Sequence, residues 1–196
     1  VQTTDFFDLV LPVEGLRCVA TLERDSDSFE HQFFADNDHA AARTLELDRA
    51  AGASVYYACA SYRTSINRKG KNAAKVRSFW LDVDCGPTKP YPTVEAGVRA
   101  LAAFKKRLNL PRPWIVSSGC GLHVYWVMDA DMSPDEWRGT ALALKAATLD
   151  LKLQVDQSRT ADITSVLRAV GTHHRKGDEK DVALIMEGAL MSKPLA

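Results

Sequence analysis

The chain has 196 residues, 46% hydrophobic and 26% charged, which suits one globular domain or two tightly fused subdomains with a sizeable core. Lysine plus arginine equals aspartate plus glutamate at 25 each, so net charge argues for neither a nucleic acid nor a membrane partner. No apolar run approaches the ~20 residues of a membrane span and no signal peptide is visible, while four scattered cysteines without a Cys-x-x-Cys pair read as reduced thiols and exclude a disulfide framework or a zinc knuckle.

The charge is nevertheless polarised. Acidic residues dominate from Glu23 to Asp48, and every charge from Arg63 to Arg77 is basic (Arg63, Arg68, Lys69, Lys71, Lys75, Arg77). Such a run fits either a solvated loop or a polyanion-binding face. The chain begins at Val1 rather than methionine and ends at Pro194-Leu195-Ala196, as a domain cut from a longer protein would.

In chain order, strands are predicted near Leu16–Leu22 and Glu30–Phe34, followed by a helix from about Asp38 to Ala51 that Gly52 ends. Ser54–Ser61 is rich in β-formers and predicts one strand. Arg63 to Lys75 reads as a mobile basic loop. Phe79-Trp80-Leu81-Asp82-Val83-Asp84 alternates as a strand ended by Gly86-Pro87. Thr93 caps a helix carrying Val94, Val98, Leu101 and Leu108 at helical spacing, with Pro111 and Pro113 at its exit. Trp114–Ser118 and Leu122–Met128 predict a hairpin turning at Gly119-Cys120-Gly121. Ser133-Pro134-Asp135-Glu136 is a capping box with proline at the first helical position, opening a helix to about Leu149. The strand–helix–strand–strand–helix order predicts an α/β or α+β fold, a mixed sheet covered by helices.

Three segments carry chemistry. Asp82 and Asp84 share one strand face with Trp80, roughly 7 Å apart at Cα. Two adjacent like charges on an apolar strand suit a shared divalent cation, although a solvent-facing strand also carries such pairs. In the hairpin, Ser118, Gly119 and Gly121 can offer backbone N–H groups and a hydroxyl to an anion, and His123 projects beside the turn as a cationic or N–H-donating partner. The plain alternative is a turn that needs its glycines, followed by a hydrogen-bonded histidine. The third segment runs from Val155-Asp156 through Asp162 to Arg168, Gly171-Thr172, His174, Arg175 and Lys176, either a basic surface loop or an anion grip.

In this order and spacing the three segments resemble the archaeo-eukaryotic primase superfamily, most of all the primase-polymerases of phages, plasmids and related mobile elements. The resemblance covers about residues 56–176. It implies an RRM-like catalytic core at about 76–180, fused to an N-terminal α/β subdomain and basic loop at about 1–75. It assigns metal ligation to Asp82 and Asp84, and a third acidic ligand to Asp156, with Asp162 as rival. It assigns nucleotide contact to Ser118, Gly119, Gly121, His123, Arg168, Thr172, His174 and Lys176. The implied activity is primer synthesis and extension on single-stranded DNA from NTP or dNTP substrates, with two Mg²⁺ or Mn²⁺ ions and no zinc. Arg63, Arg68, Lys69, Lys71 and Lys75 would track the template, with Trp80 or Tyr62 as stacking surfaces. The setting implied is the cytoplasm of a bacterial host, with room for a replicative helicase, fused or separate, and with no membrane partner. Departures are Gly121 where relatives often carry serine, and Val170 and His174 where many carry proline and asparagine.

Other readings of the same residues are a metal-dependent nuclease, which leaves Arg168–Lys176 without a purpose, and a non-catalytic nucleotide- or DNA-binding module. A replication nickase needs spaced histidines, whereas His173 and His174 are adjacent.

Overall fold

The computed structural model describes residues 1–23, 26, 28–175, 177–192 and 195. In chain order these form α1 (Thr3–Val10), β1 (Arg17–Glu23), β2 (Glu30–Phe34), α2 (Asn37–Arg49), β3 (Ala53–Ala58), β4 (Ala60–Tyr62), β5 (Ala73–Asp84) and α3 (Val94–Arg107). There follow β6 (Trp114–Ser117), β7 (Gly121–Met132), α4 (Pro134–Asp150), β8 (Val166–Leu167), β9 (His173–His174), β10 (Lys180–Asp181), β11 (Ala183–Met186) and β12 (Leu190–Met191).

Local chemistry sets the helix starts. The side chains of Asp36, Thr93 and Ser133 accept from His39, Ala96 and Glu136 N–H groups, and the Glu136 carboxylate returns the bond to the Ser133 N–H at 2.7 Å. The left-handed residue after α2 is Ala51 (φ 55), one position before the glycine predicted to stop it. The short α1 was not predicted, since eight residues show little more than two turns of periodicity. Its Phe6 and Phe7 are fully buried.

Two sheets result. The larger runs β11-β6-β7-β5-β4 with antiparallel pairs, and β12 adds to β7 in parallel, so the sheet is mixed, as the element order predicts. The smaller runs β2-β1-β3-β8. The single strand predicted over Ser54–Ser61 breaks at Cys59, which donates its N–H to the Ser165 carbonyl at 3.1 Å. Residues before the break pair with β1 and β8, and those after it pair with β5, so one β-rich run serves both sheets.

The central pair β5–β7 is buried on both faces. Gly97 of α3 sits against Val83, Cys85 and Leu122, covering one face. The other face, bearing Trp80, Asp82, His123 and Tyr125, turns toward the smaller sheet. There the Tyr57 hydroxyl of β3 donates to that of Tyr125 at 2.9 Å, and Phe6 meets both rings edge-on at 5.7 Å. A second apolar cluster (Cys18, Ala20, Tyr56, Ala58, Tyr62, Val166) lies on the far side of the smaller sheet. Tyr62 and Trp80 are both core residues, 0% and 2% exposed, so neither offers a base-stacking surface.

Candidate active site between the two sheets

The pairing of β5 with β7 sets Asp82 opposite His123 and Asp84 opposite Gly121. His123 Nε2 lies 3.8 Å from Asp82 Oδ1. The other edge of β5 is free at this level, because β4 pairs only near its start. A free edge leaves carbonyls in need of donors. Asp156 supplies one: its N–H bonds the Asp82 carbonyl at 2.8 Å. That bond brings the third predicted acid beside the first. Asp162, its rival, accepts from the Thr164 N–H at 2.9 Å and hydroxyl at 2.8 Å, in a turn that faces a different groove.

The charges couple. Burial, then the negative charges of Asp84 and Asp156, push the Asp82 carboxyl up to about 7, with Arg159 and Arg168 pulling the other way. Asp156 moves below its ordinary value: burial opposes this, but the Ser158 hydroxyl (2.6 Å) and N–H (2.8 Å) outweigh it. His123 is pushed down to about 3 by burial, with the Arg168 charge adding to the fall and the Arg168 carbonyl partly offsetting it. The ring is therefore neutral at physiological pH, which selects the N–H-donating form over the cationic one.

Among the described residues no three His, Cys, Asp or Glu side chains already converge on one metal-sized point. Asp84 instead pairs with Lys89 at 2.8 Å, and Asp156 with Ser158. The donor set of three carboxylates fits a hard divalent cation. Burial and the two neighbouring carboxylates raise Asp82 toward its protonated form, a shift that a bound cation would reverse.

Of the predicted anion contacts, Gly121 stands opposite Asp84 and His123 opposite Asp82, and the Arg168 charge acts on Asp82. Gly119 has φ +87 and lies against His174, so the turn needs glycine there. A Cβ on Gly121 would collide with the Val83 carbonyl, so a serine at this position does not fit this chain. Ser118 is buried and donates its N–H to the Gly121 carbonyl at 3.0 Å. Arg168 follows β8, whose pairing with β3 carries it over the Tyr56 ring (4.8 Å); one Nη bonds the Tyr56 hydroxyl at 3.0 Å, while its buried Nε has no hydrogen-bond partner among the described residues. The Thr172 hydroxyl donates to the Ala169 carbonyl at 2.7 Å, shaping the loop from within. Lys176 lies outside the described residues. The loop is moored to α2 through buried Asp48, which accepts from His173 N–H (3.0 Å) and Arg175 (2.6 Å).

The basic stretch is built rather than loose. The Asn72 side chain accepts from the Thr64 N–H and hydroxyl and donates to the Thr64 and Asn67 carbonyls; Arg63 bonds the Lys71 carbonyl, and Arg68 bonds His31. Lys75 faces Glu14 at 3.8 Å. Between this stretch, the start of α4 and residues 161–164 runs a groove of ≈ 910 Å³ with Lys69, Lys71 and Arg138 on its walls. Sequence reasoning gave no role to Lys89 or Arg159. Arg159 follows Asp156 by three residues, and its Nε lies 3.8 Å from the Asp156 carboxylate, so that spacing was the available signal.

No protein-family profile matches the sequence, and no curated protein does. Solved structures do. The archaeo-eukaryotic primase domain of the cyanophage S-2L primase-polymerase superposes with a TM-score of 0.68 at 15% identity, covering 91% of this chain and 85% of that one. The catalytic domain of primase RepB′, solved with initiator DNA, gives 0.60 at 14% over 95% and 85%. The polymerase domain of Mycobacterium tuberculosis Ligase D, solved with DNA, gives 0.51 at 14% over 96% and 83%. The chain thus has the archaeo-eukaryotic primase fold, the fold that its three motifs resemble.

Proposed function

We propose that this chain is the catalytic domain of a DNA primase-polymerase, which transfers nucleotides on a single-stranded DNA template. One observation carries the reading: Asp82 faces His123 across β5–β7 while the Asp156 N–H bonds the Asp82 carbonyl, in a fold shared with primase-polymerase domains. Asp82, Asp84 and Asp156 would hold Mg²⁺ or Mn²⁺, with Asp84 exchanging its Lys89 partner for the cation. Bound there, the ions would activate a primer 3′-hydroxyl and neutralise charge on the α-phosphate and the leaving pyrophosphate.

The chain's own groups supply positioning. Neutral His123 donates an N–H to the triphosphate, the Arg168 charge that acts on Asp82 and His123 adds attraction, and the Ser118–Gly121 turn shapes the wall beside them. Thr172 and His174 shape that wall of the cleft. The basic stretch with Arg63, Arg68, Lys69, Lys71 and Lys75 tracks the template backbone. Residues 76–180 form the catalytic core in this reading, and 1–75 a subdomain that closes the cleft.

The test is incubation with Mn²⁺, labelled nucleotides and single-stranded template, with and without primer. Extension and new primers are expected, and Asp82→Asn or Asp84→Asn abolishes both while circular dichroism stays unchanged. Full activity in either variant sinks the metal assignment. Degradation of the template alone would favour a nuclease, and binding without turnover a non-catalytic module.

A further inference from the structure

Beside the groove lies a second, smaller cavity of ≈ 490 Å³, walled by His31 and Phe33 of β2 and by Ile66, Arg68 and Lys69 of the basic stretch. Ile66 and Lys69 border both spaces, so the two adjoin around the tip of the stretch. Their charge differs. The groove carries Asp135 and Asp162 among its walls, whereas the cavity has two cations and, among the described residues, no carboxylate.

The walls are fixed in place. His31 and Phe33 stand two residues apart on an edge strand, hence on one face, and Tyr62 meets the Phe33 ring edge-on at 5.7 Å. Partial burial, then the Arg68 charge, lower His31 from its ordinary value, and its Nε2 accepts from Arg68 Nε at 3.1 Å. The Arg68 guanidinium also lies over the Phe29 ring at 5.8 Å, so its plane is set from two directions. Its Nη1 is buried with no hydrogen-bond partner among the described residues, so the chain itself satisfies the group only in part. Ile66 is 81% exposed. The stretch cannot fold it away, because Asn72 bonds Thr64 and Asn67 on either side and Gly70 lies against Ile163. A large apolar side chain held in water gains by meeting an apolar partner.

We propose that this cavity is a second subsite for the single strand, taking one unpaired nucleotide with its base against Phe33 and Ile66 and its phosphate near Arg68 and Lys69. A base offers a flat apolar face and a phosphate a negative charge, the two surfaces that the cavity complements. A strand leaving the groove reaches it by turning around the loop tip. The choice of single-stranded DNA rests on the primase-polymerase reading above, whereas the match to a base-bearing phosphate rests on the walls alone.

The experiment titrates the whole chain, without metal or nucleotide, against end-labelled strands of about 12 nucleotides and reads fluorescence anisotropy. One strand is oligothymidylate and the other an abasic strand with the same phosphate spacing. The parent is expected to prefer oligothymidylate roughly tenfold, a base-stacking contribution of ordinary size. Phe33→Leu, which alters the cavity and not the groove, and Ile66→Ser, which changes an exposed side chain, each cut that preference about threefold and leave the affinity for the abasic strand unchanged. Arg68→Gln weakens both strands and flattens their logarithmic salt dependence by roughly 0.7. Equal affinity of the parent for the two strands, a preference that survives intact in either apolar variant, or an unaltered slope in Arg68→Gln overturns the subsite. Failure to bind either strand overturns it as well. A chain that extends primers yet fails these titrations keeps its proposed function and loses the subsite; one that passes them yet incorporates no nucleotide keeps the subsite and loses the enzyme.

Discussion

A carboxyl group that holds its proton near neutrality does so because its charged form has nowhere favourable to go. Asp82 is such a group, raised from 3.8 to about 7 by burial and by Asp84 and Asp156. Its folded value exceeds its unfolded one, so its stabilising contribution is complete below about 4 and is lost as pH rises through 7. At pH 8 the ionised group costs the metal-free fold on the order of 4 kcal/mol. Asp82→Asn removes that cost: the variant is expected to exceed the parent in unfolding free energy by roughly 1.5 kcal/mol at pH 5 and by about 4 kcal/mol at pH 8. Urea unfolding of both proteins at both values checks this, and an equal gap at the two pH values refutes it. His123 behaves oppositely, since its value is lowered to about 3 and its contribution disappears as pH falls below 6.5. As a neutral donor to phosphate it is worth about 1.5–3 kcal/mol, so His123→Ala should weaken nucleotide binding roughly 10- to 100-fold in a titration. Unchanged affinity would remove His123 from the site. The candidacy of Asp82, Asp84 and His123 was legible in residue type and spacing. Their ionisation was not, because burial and neighbouring charge are properties of the folded chain.

At the scale of elements, strong local signals were readable. The helices α3 and α4 announce themselves through Thr93 and the Ser133–Glu136 box, and β5 and β7 through alternation. The two-residue strands β8, β9, β10 and β12 have no periodicity to read; they exist because a neighbouring strand offers an edge. The break at Cys59 was hidden for a similar reason, as β-propensity reports a fit to a sheet without saying which sheet. Gly121 ties element to site. Gly121→Ala would drive a methyl into the Val83 carbonyl and push β7 away from β5, at a cost of about 1–3 kcal/mol. Metal-dependent activity should fall further than stability does, because Asp84 sits directly opposite; thermal unfolding alongside an incorporation assay separates the two effects.

For the whole molecule, the site is a product of convergence. Asp156 reaches Asp82 through a single backbone hydrogen bond on a free strand edge, and Arg168 arrives because β8 pairs with the smaller sheet. The basic stretch becomes a groove wall because Asn72 fastens it and residues 161–164 face it. If single-stranded DNA runs along this groove, removing Lys69 and Lys71 together should weaken binding and flatten its logarithmic salt dependence by roughly 0.7 per lost phosphate contact. Equal slopes for parent and variant in fluorescence anisotropy would place the strand elsewhere. The acid pair, the glycine turn, the caps and the order of the three motifs are legible in the chain before it folds, since each depends on residues a few positions apart. Tertiary structure alone decided that Asp156 rather than Asp162 stands beside Asp82, that His123 is neutral, and that Tyr62 and Trp80 belong to the core. Those outcomes depend on burial and on contacts between residues distant in the chain, which short-range spacing does not encode.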